Sequence, residues 1–326
     1  MIRNQWYAVL DAREVRRNKI TGVTRFGEKL IFWRDERGVI GCIADKCCHR
    51  GASLSIGKMC DGRVECPFHG FRYDVSGRVV MIPANGKMAP VPDNFKVKSY
   101  TAKEAYGFIW VWYGEPSDNL PGIPFFEELS EGFSYGSMAE SWGVHYTRSI
   151  ENQLDVVHLP FVHGNTIGRG NKTLVNGPVV KWNGNRMTFY VKDEVDNGQT
   201  PQKPNEIKDY EKLFSLQLQM PNIWQNIISD NQRVMAAFAP VDDENTMIYL
   251  RFYQRFVRVP LVRQLVNLVG GKVMNKVILH QDRRVVITEL PKKSELSMGE
   301  NLIQGDLPII EFRKKREELK RQAERG

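Results

Sequence analysis

Between residues 47 and 69, two cysteines and two histidines stand at spacings that suit metal ligation. Cys47-x-His49 is followed, sixteen residues later, by Cys66-x-x-His69. Two thiolates and two imidazoles on two short loops satisfy a tetrahedral zinc. They equally satisfy a [2Fe–2S] centre with both cysteines on one iron and both histidines on the other. Each pair runs into glycine, as His49-Arg50-Gly51 and His69-Gly70, and Pro67 follows Cys66. Glycine at these points lets backbone N–H groups approach cluster sulfurs. All five cysteines (Cys42, Cys47, Cys48, Cys60 and Cys66) fall within 25 residues. An odd number so packed points to metal rather than disulfides.

A second group of candidate ligands lies about 90 residues on, in Asn152-Gln153-Leu154-Asp155-Val156-Val157-His158-Leu159-Pro160-Phe161-Val162-His163. Arg148–His158 lacks strand alternation and reads as a helix interrupted near Pro160. Asp155 and His158, three apart, would share one of its faces. His163 follows five residues after His158, past a proline that can turn the chain. Two imidazoles and a carboxylate on one side of a metal leave the other side open, the facial arrangement of non-haem Fe(II) sites. Only His145 and His280 remain outside the two groups.

These residues need elements to hold them. At 326 residues the chain is long enough for about two domains, and its 42% hydrophobic and 26% charged residues are ordinary for a globular protein. That balance excludes collagenous, mucin-like and largely disordered chains. The net charge of +8 gathers partly in the tail from Phe312 to Gly326, and Leu307–Arg325 reads as a terminal helix with a charged outer face. The rest is too balanced to argue for nucleic acid. There is no run of 18 apolar residues, and the most apolar stretch, Val257–Gly271, is cut by Arg258 and Arg263. No membrane span is therefore expected. The N-terminus lacks an apolar signal core, so a cytoplasmic location is expected. Short strands are expected at Gln5–Leu10, Lys29–Arg34, Val39–Ile43, Arg63–Glu65, Phe71–Asp74, Val79–Ile82 and Tyr106–Tyr113. The Pro-, Gly- and Asp-rich stretch Gly114–Pro124 reads as a domain boundary. Beyond it, Arg186–Val195, Lys212–Met220, Ile223–Ser229, Arg233–Pro240 and Thr246–Phe256 read as an antiparallel sheet. Residues 196–205 read as a long polar loop, and Leu261–Arg284 as a helix broken at Gly270-Gly271.

The C-x-H-x₁₆-C-x₂-H pattern, with C-P-x-H-G in the second loop, resembles the Rieske cluster motif. With N-x₂-D-x₂-H-x₄-H downstream, nearly the whole chain resembles the α-subunits of Rieske non-haem iron oxygenases, most closely the homotrimeric demethylating and mono-oxygenating members. The resemblance implies an α+β protein: an N-terminal all-β Rieske domain over 1–115, then an α+β catalytic domain over 116–326 whose antiparallel sheet wraps on helices in the helix-grip manner. It implies that Cys47, His49, Cys66 and His69 bind the [2Fe–2S] cluster. His158, His163 and Asp282 would hold mononuclear Fe(II), because His280-Gln281-Asp282-Arg283-Arg284-Val285-Val286 is similar to the family's E/Q-D-x-x-V-V segment. Asp155 would then be no ligand but the acidic bridge from a Rieske histidine of one subunit to an iron-ligand histidine of the next. Asn152 would lie near the mononuclear iron.

Ala52 and Phe68 stand where respiratory-type proteins carry a disulfide, and Phe71 replaces a serine that donates to the cluster. Fewer donors imply a lower potential. Cys48, at a position where the family commonly has proline, is expected to be a buried bystander. The implied activity is mono-oxygenation or oxidative demethylation of a small organic substrate with O₂ as co-substrate. Without G-x-G-x-x-G or a Cys₄ ferredoxin set, the chain would depend on a separate NAD(P)H-dependent reductase or ferredoxin. Arg50, Lys58 and Arg72 flank the cluster loops and are candidates to meet an acidic carrier. Gln217, Gln219, Asn222, Trp224, Gln225 and Asn226 suggest an amide-rich wall and a polar or heteroatom-bearing substrate. Competing readings are a ring cis-dihydroxylating dioxygenase, a pigment-macrocycle oxygenase, a Rieske electron carrier with a degenerate second domain, and a structural zinc protein. A C-terminal membrane anchor, usual in chlorophyll-type relatives, is not seen in the sequence and lowers the pigment option.

Overall fold

The computed structural model describes residues 1–257 and 259–325, and only the backbone of residues 272–275; Arg258 lies outside the described residues. Two compact units result. The first holds Met1, Arg3–Ile123 and Pro240–Asp242, and the second holds Ile2, Pro124–Ala239 and the chain from Asp243 onward.

The first unit is built of ten strands: β1 (Gln5–Asp11), β2 (Thr21–Arg25), β3 (Glu28–Arg34), β4 (Ile40–Ala44), β5 (Lys58–Cys60), β6 (Arg63–Glu65), β7 (Arg72–Tyr73), β8 (Val79–Met81), β9 (Ala102–Ala105) and β10 (Phe108–Tyr113). They form three antiparallel sheets, ordered β1-β10-β9, β2-β3-β4 and β5-β6-β7-β8. Ile31, Trp33, Ile43, Leu54, Val64, Tyr73 and Val79 make one core with Cys47 and Cys66, so both loops that carry the Cys–His pairs rest on a packed interior. The strand expected from Tyr106 begins only at Phe108. Tyr106 and Gly107 both have positive φ, 55° and 73°, and form the two-residue hairpin turn whose hand suits twisted strands. Strands β2, β5 and β9 were not expected from the sequence, because their short, mixed runs carry no alternating apolar signal.

The second unit carries a seven-stranded antiparallel sheet of β11 (Ser134–Trp142), β12 (Leu174–Asn183), β13 (Arg186–Glu194), β14 (Phe214–Gln219), β15 (Ile223–Ser229), β16 (Gln232–Pro240) and β17 (Thr246–Gln254), ordered β11-β17-β16-β15-β14-β13-β12. Its helices are α1 (Tyr146–Leu154), α2 (Leu159–Val162), α3 (Pro260–Leu268), α4 (Asn275–Val286) and α5 (Leu307–Arg325), with a π-helical stretch Val269–Met274 between α3 and α4. The single helix expected over Leu261–Arg284 is therefore three pieces, and the Gly270-Gly271 pair explains why. A Cβ on Gly271 would lie 2.5 Å from the backbone of Gly136 in β11, and one on Gly270 2.5 Å from the Phe252 ring in β17. Only glycine lets the π stretch sit against these strands. That contact sets where α4 leaves the sheet.

The helix expected through Arg148–His158 ends at Leu154. Asp155 is extended (φ −73°, ψ 118°) and closes α1 as its C-cap. Asp155 and His158 thus do not share a helical face. Instead, Asp155 Oδ1 accepts from the N–H of Val157 (2.7 Å) and of His158 (3.2 Å) and starts the next turn.

Buried charges lock α5 onto α1. Arg313 grips Glu151 with Nε at 2.7 Å and Nη2 at 2.9 Å, and Arg148 reaches Glu151 and Glu300. Arg313 and Arg316 are buried, and Arg316 pairs with Glu295. The tail's charges are therefore not all on an outer face. Among the described residues no helix is long and apolar enough to cross a membrane.

Candidate metal centres

In the first unit the two Cys–His loops adopt the same local geometry. Cys47 N–H donates to Ala52 O (2.7 Å) and Gly51 N–H to Cys47 O (2.9 Å). Cys66 N–H donates to Phe71 O (2.8 Å) and Gly70 N–H to Cys66 O (3.0 Å). Gly51 and Gly70 turn the chain with φ of 77° and 71°, a conformation that L side chains resist. The loops place the two thiols in the interior and the two imidazoles at the surface. The rings of His49 and His69 lie 4.8 Å apart between centroids, and His49 stacks on Phe71 at 4.9 Å. Burial pushes the Cys66 thiol up, while backbone groups of Phe68 and His69 act the other way. Two buried thiols and two exposed imidazoles would suit a [2Fe–2S] centre that takes both ligand types.

Tyr73, on β7, was not singled out from the sequence. Its buried hydroxyl donates to Cys47 Sγ at 3.1 Å and accepts from Cys48 N–H at 3.0 Å. Cys48 is exposed rather than buried, because its loop lies at the surface, and its Sγ is 3.2 Å from the same hydroxyl. One donor to a ligand sulfur thus stands although Phe71 supplies none. Of the basic residues flanking the loops, Lys58 pairs with Glu65 and Arg72 with Glu65 and Asp61. The guanidinium of Arg50 lies 5.6 Å from the exposed Phe68 ring.

In the second unit His158, His163 and Asp282 converge. Asp282 Oδ1 is 2.8 Å from His163 Nε2 and 3.5 Å from His158 Nε2, and one donor atom from each residue falls within 4.8 Å of the other two. Asp282 is only 3% exposed and is no surface partner of Arg283 or Arg284. Its Oδ1, though close to both rings, takes no well-aligned hydrogen bond. The three donor atoms lie close enough together to share one metal, as a facial Fe(II) site requires.

Gln281, also missed in the sequence, fixes one ring. His163 Nδ1 lies 2.8 Å from Gln281 Oε1, which also accepts from Thr166 Oγ1 at 2.9 Å. An amide oxygen cannot donate, so the proton sits on Nδ1 and leaves the Nε2 lone pair free for metal. Burial pushes His163 down, but Asp282 and Gln281 outweigh it and the net direction is up. His280 Nε2 lies 3.0 Å from Glu140 Oε2 on β11 and fastens α4 to the sheet.

Asp155 Oδ2 is 3.6 Å from His158 Nδ1, just beyond hydrogen-bond length. Burial pushes its carboxyl up, and His158 and the two backbone N–H groups more than reverse this. Asn152 lies on the last turn of α1 with a buried Nδ2 that has no hydrogen-bond partner.

The expected amide-rich wall divides between two faces. Gln217, Gln219 and Gln225 are held by Thr188, Arg186 and Glu128 respectively. Trp224 and Asn226 alternate with Gln225 along β15 and point to the opposite face. Asn222 is spent on Phe238 O.

A family model described as the Rieske [2Fe–2S] domain matches residues 5–101, and one described as the vanillate O-demethylase oxygenase C-terminal domain matches residues 142–322, more than half of the chain. The chain belongs to the Rieske non-haem iron oxygenases. Members of this family are oxidoreductases that join a Rieske [2Fe–2S] cluster to a mononuclear iron and use O₂. Among curated relatives of this Rieske oxygenase, a chlorophyllide a oxygenase of Chlamydomonas reinhardtii is 36% identical over 172 residues, 52% of this chain and 26% of that protein. The vanillate O-demethylase oxygenase subunit of Pseudomonas sp. (strain HR199 / DSM 7063) is 31% identical over 179 residues, 54% of this chain and 49% of that protein. The chain thus matches half or less of these relatives' length. In fold it is similar to Pseudomonas putida CBB5 NdmA, with a TM-score of 0.79 and 22% identity over 99% of this chain and 92% of that one.

Proposed function

We propose that this chain is the oxygenase component of a multicomponent system that mono-oxygenates or oxidatively demethylates a small organic substrate. The observation that carries the proposal is the convergence of His158, His163 and a buried Asp282 in a chain that also presents Cys47, His49, Cys66 and His69 in paired loops. Both donor sets fit their groups: two thiolates and two imidazoles for the [2Fe–2S] cluster, and two imidazoles and one carboxylate, with Asp282 Oδ1 uncommitted, for Fe(II). Bound there, the groups would supply electron transfer and O₂ activation. The protein's own part is to hold the geometry. Gln281 keeps His163 in the ligating tautomer, Asp155 steers His158, and Asn152, on the last turn of α1, has a buried amide N–H without a partner.

In this reading residues 1–115 form the Rieske domain and 116–326 the catalytic domain. Asp155 bridges a Rieske histidine of one subunit and His158 of its neighbour in a homotrimer, and a separate reductase or ferredoxin supplies the electrons. The setting is the cytoplasm. The vanillate-demethylase description of the matching C-terminal domain supports demethylation. The likeness to a chlorophyllide a oxygenase favours a pigment macrocycle as a second reading. Oxygen uptake by the holoprotein with a surrogate reductase, across methoxyarenes and tetrapyrroles, decides between them. Formaldehyde release from a methoxyarene is the expected result, and uptake confined to tetrapyrroles would overturn the preference.

A further inference from the structure

The helix-bearing face of the catalytic sheet points to the charge and chemistry of the substrate. Strand registers define rows of side chains across it. Met187 in β13 pairs with Leu218 in β14, Leu218 with Trp224 in β15, and Trp224 with Ala236 in β16. The hydrogen bond from Arg255 N–H to Asn231 O sets the register of β16 and β17, which brings Ala236 opposite Leu250, and Leu250 pairs with Met138 in β11. The next row runs Phe189, Leu216, Asn226, Val234, Phe252 and Gly136 by the same pairings. This is the face on which Gly270 and Gly271 pack against Phe252 and Gly136. It is also the face whose Glu140 holds His280 of α4, two residues before Asp282. Trp224 and Asn226 therefore look toward the face on which Gly270 and Gly271 pack and to which His280 ties α4.

In these two rows every side chain except Trp224 and Asn226 is apolar, and none is Lys or Arg. The sheet's arginines at 186, 233 and 251 alternate to the other face. Trp224 is 4% exposed. Its Nε1 and the neighbouring Asn226 Oδ1 are both buried without a hydrogen-bond partner. A buried donor and acceptor left unpaired are costly, so their place in an apolar wall is explained by a ligand that pairs them. Residues two apart on a strand lie about 6.6 Å apart, within reach of a single polar group.

We propose that Trp224 and Asn226 form a substrate subsite for an uncharged, largely apolar ring bearing a hydroxyl or amino group, which accepts from the indole N–H and donates to the Asn226 carbonyl. An anionic carboxylate or sulfonate would meet no cation on this wall and would be opposed by Asn226 Oδ1. The inference rests on the oxygenase reading for what happens next, but its test does not.

Equilibrium dialysis of the iron-loaded protein at pH 7 uses three probes: 4-methoxyphenol, 4-methoxybenzoate and methoxybenzene. The expected order is 4-methoxyphenol tighter than 4-methoxybenzoate by at least about tenfold. Trp224→Phe and Asn226→Leu should each weaken 4-methoxyphenol by about tenfold and leave methoxybenzene unchanged. Circular dichroism and iron content check that both variants fold. Equal or tighter binding of 4-methoxybenzoate, or variants that keep wild-type preference for the phenol, would overturn the subsite. Oxygen uptake is scored separately. Its absence with a tightly bound phenol would count against the oxygenase reading and leave the subsite standing.

Discussion

Replacing Tyr73 by Phe removes the hydroxyl's hydrogen bond to a ligand sulfur together with the one it accepts from the Cys48 N–H, while the ring stays in the core that holds Cys47 and Cys66. In the wild type the hydroxyl donates to Cys47 Sγ at 3.1 Å. A hydrogen bond to a charged acceptor contributes about 1.5–3 kcal/mol. The thiolates carry more charge once the cluster is reduced, so the bond favours the reduced state. Taking about 1 kcal/mol as the part that differs between the two states, and 59 mV per tenfold for one electron, the variant's potential should fall by about 40 mV. A redox titration of the holoprotein followed by electron paramagnetic resonance reads this directly, with iron and sulfide content showing that the cluster is intact. An unchanged or higher potential with an intact cluster would refute the reasoning and remove Tyr73 from the cluster's surroundings.

Other expectations follow from the same geometry. Asp282→Ala should lose the mononuclear iron and keep the cluster's visible spectrum, measured by metal analysis and absorbance. Asp155→Asn should keep both metals yet slow reoxidation of the reduced cluster in a single-turnover experiment, and a wild-type rate there would remove the bridge assignment. Arg313→Met leaves Glu151 without its bidentate partner in the α1–α5 junction and should cost about 3–5 kcal/mol in denaturant unfolding. His145 is pushed down to about 2, chiefly by burial. Its folded form stays neutral while the unfolded form binds a proton below about pH 6.5, so acid favours unfolding. Stability should therefore fall by about 1.4 kcal/mol per pH unit below that point, and His145→Asn should flatten the slope.

Much of the site was legible in the sequence because ligand chemistry demands residue types at short spacings. Cys47, His49, Cys66 and His69 lie in two tight loops, and each loop's glycine marks where the chain must turn back. His158 and His163 are likewise local. Asp282 is more than a hundred residues away, and only the pattern around it, not periodicity, pointed to it. What stayed hidden depends on tertiary contact. Tyr73 reads as an ordinary strand aromatic until β7 folds beneath the Cys47 loop. Gln281 gains its meaning when α4 brings it to His163. Asp155 looked helical because the stretch up to it is helix-compatible, but its carboxylate prefers the backbone N–H groups ahead, and the helix stops. The amide-rich stretch of β14 and β15 was recognised as polar, but which amides face the helices follows from strand alternation and register. The tail's basic composition likewise concealed that Arg313 and Arg316 turn inward to meet Glu151 and Glu295.

The central claim is that this chain couples two distinct iron sites. Metal and sulfide analysis of the anaerobically reconstituted protein tests it most directly, with Asp282→Ala alongside. The account predicts three irons and two acid-labile sulfides per wild-type chain, two irons in the cluster and one at the facial site, and two irons and two sulfides in the variant. Two irons in both proteins, or zinc in place of iron with no sulfide, would contradict it.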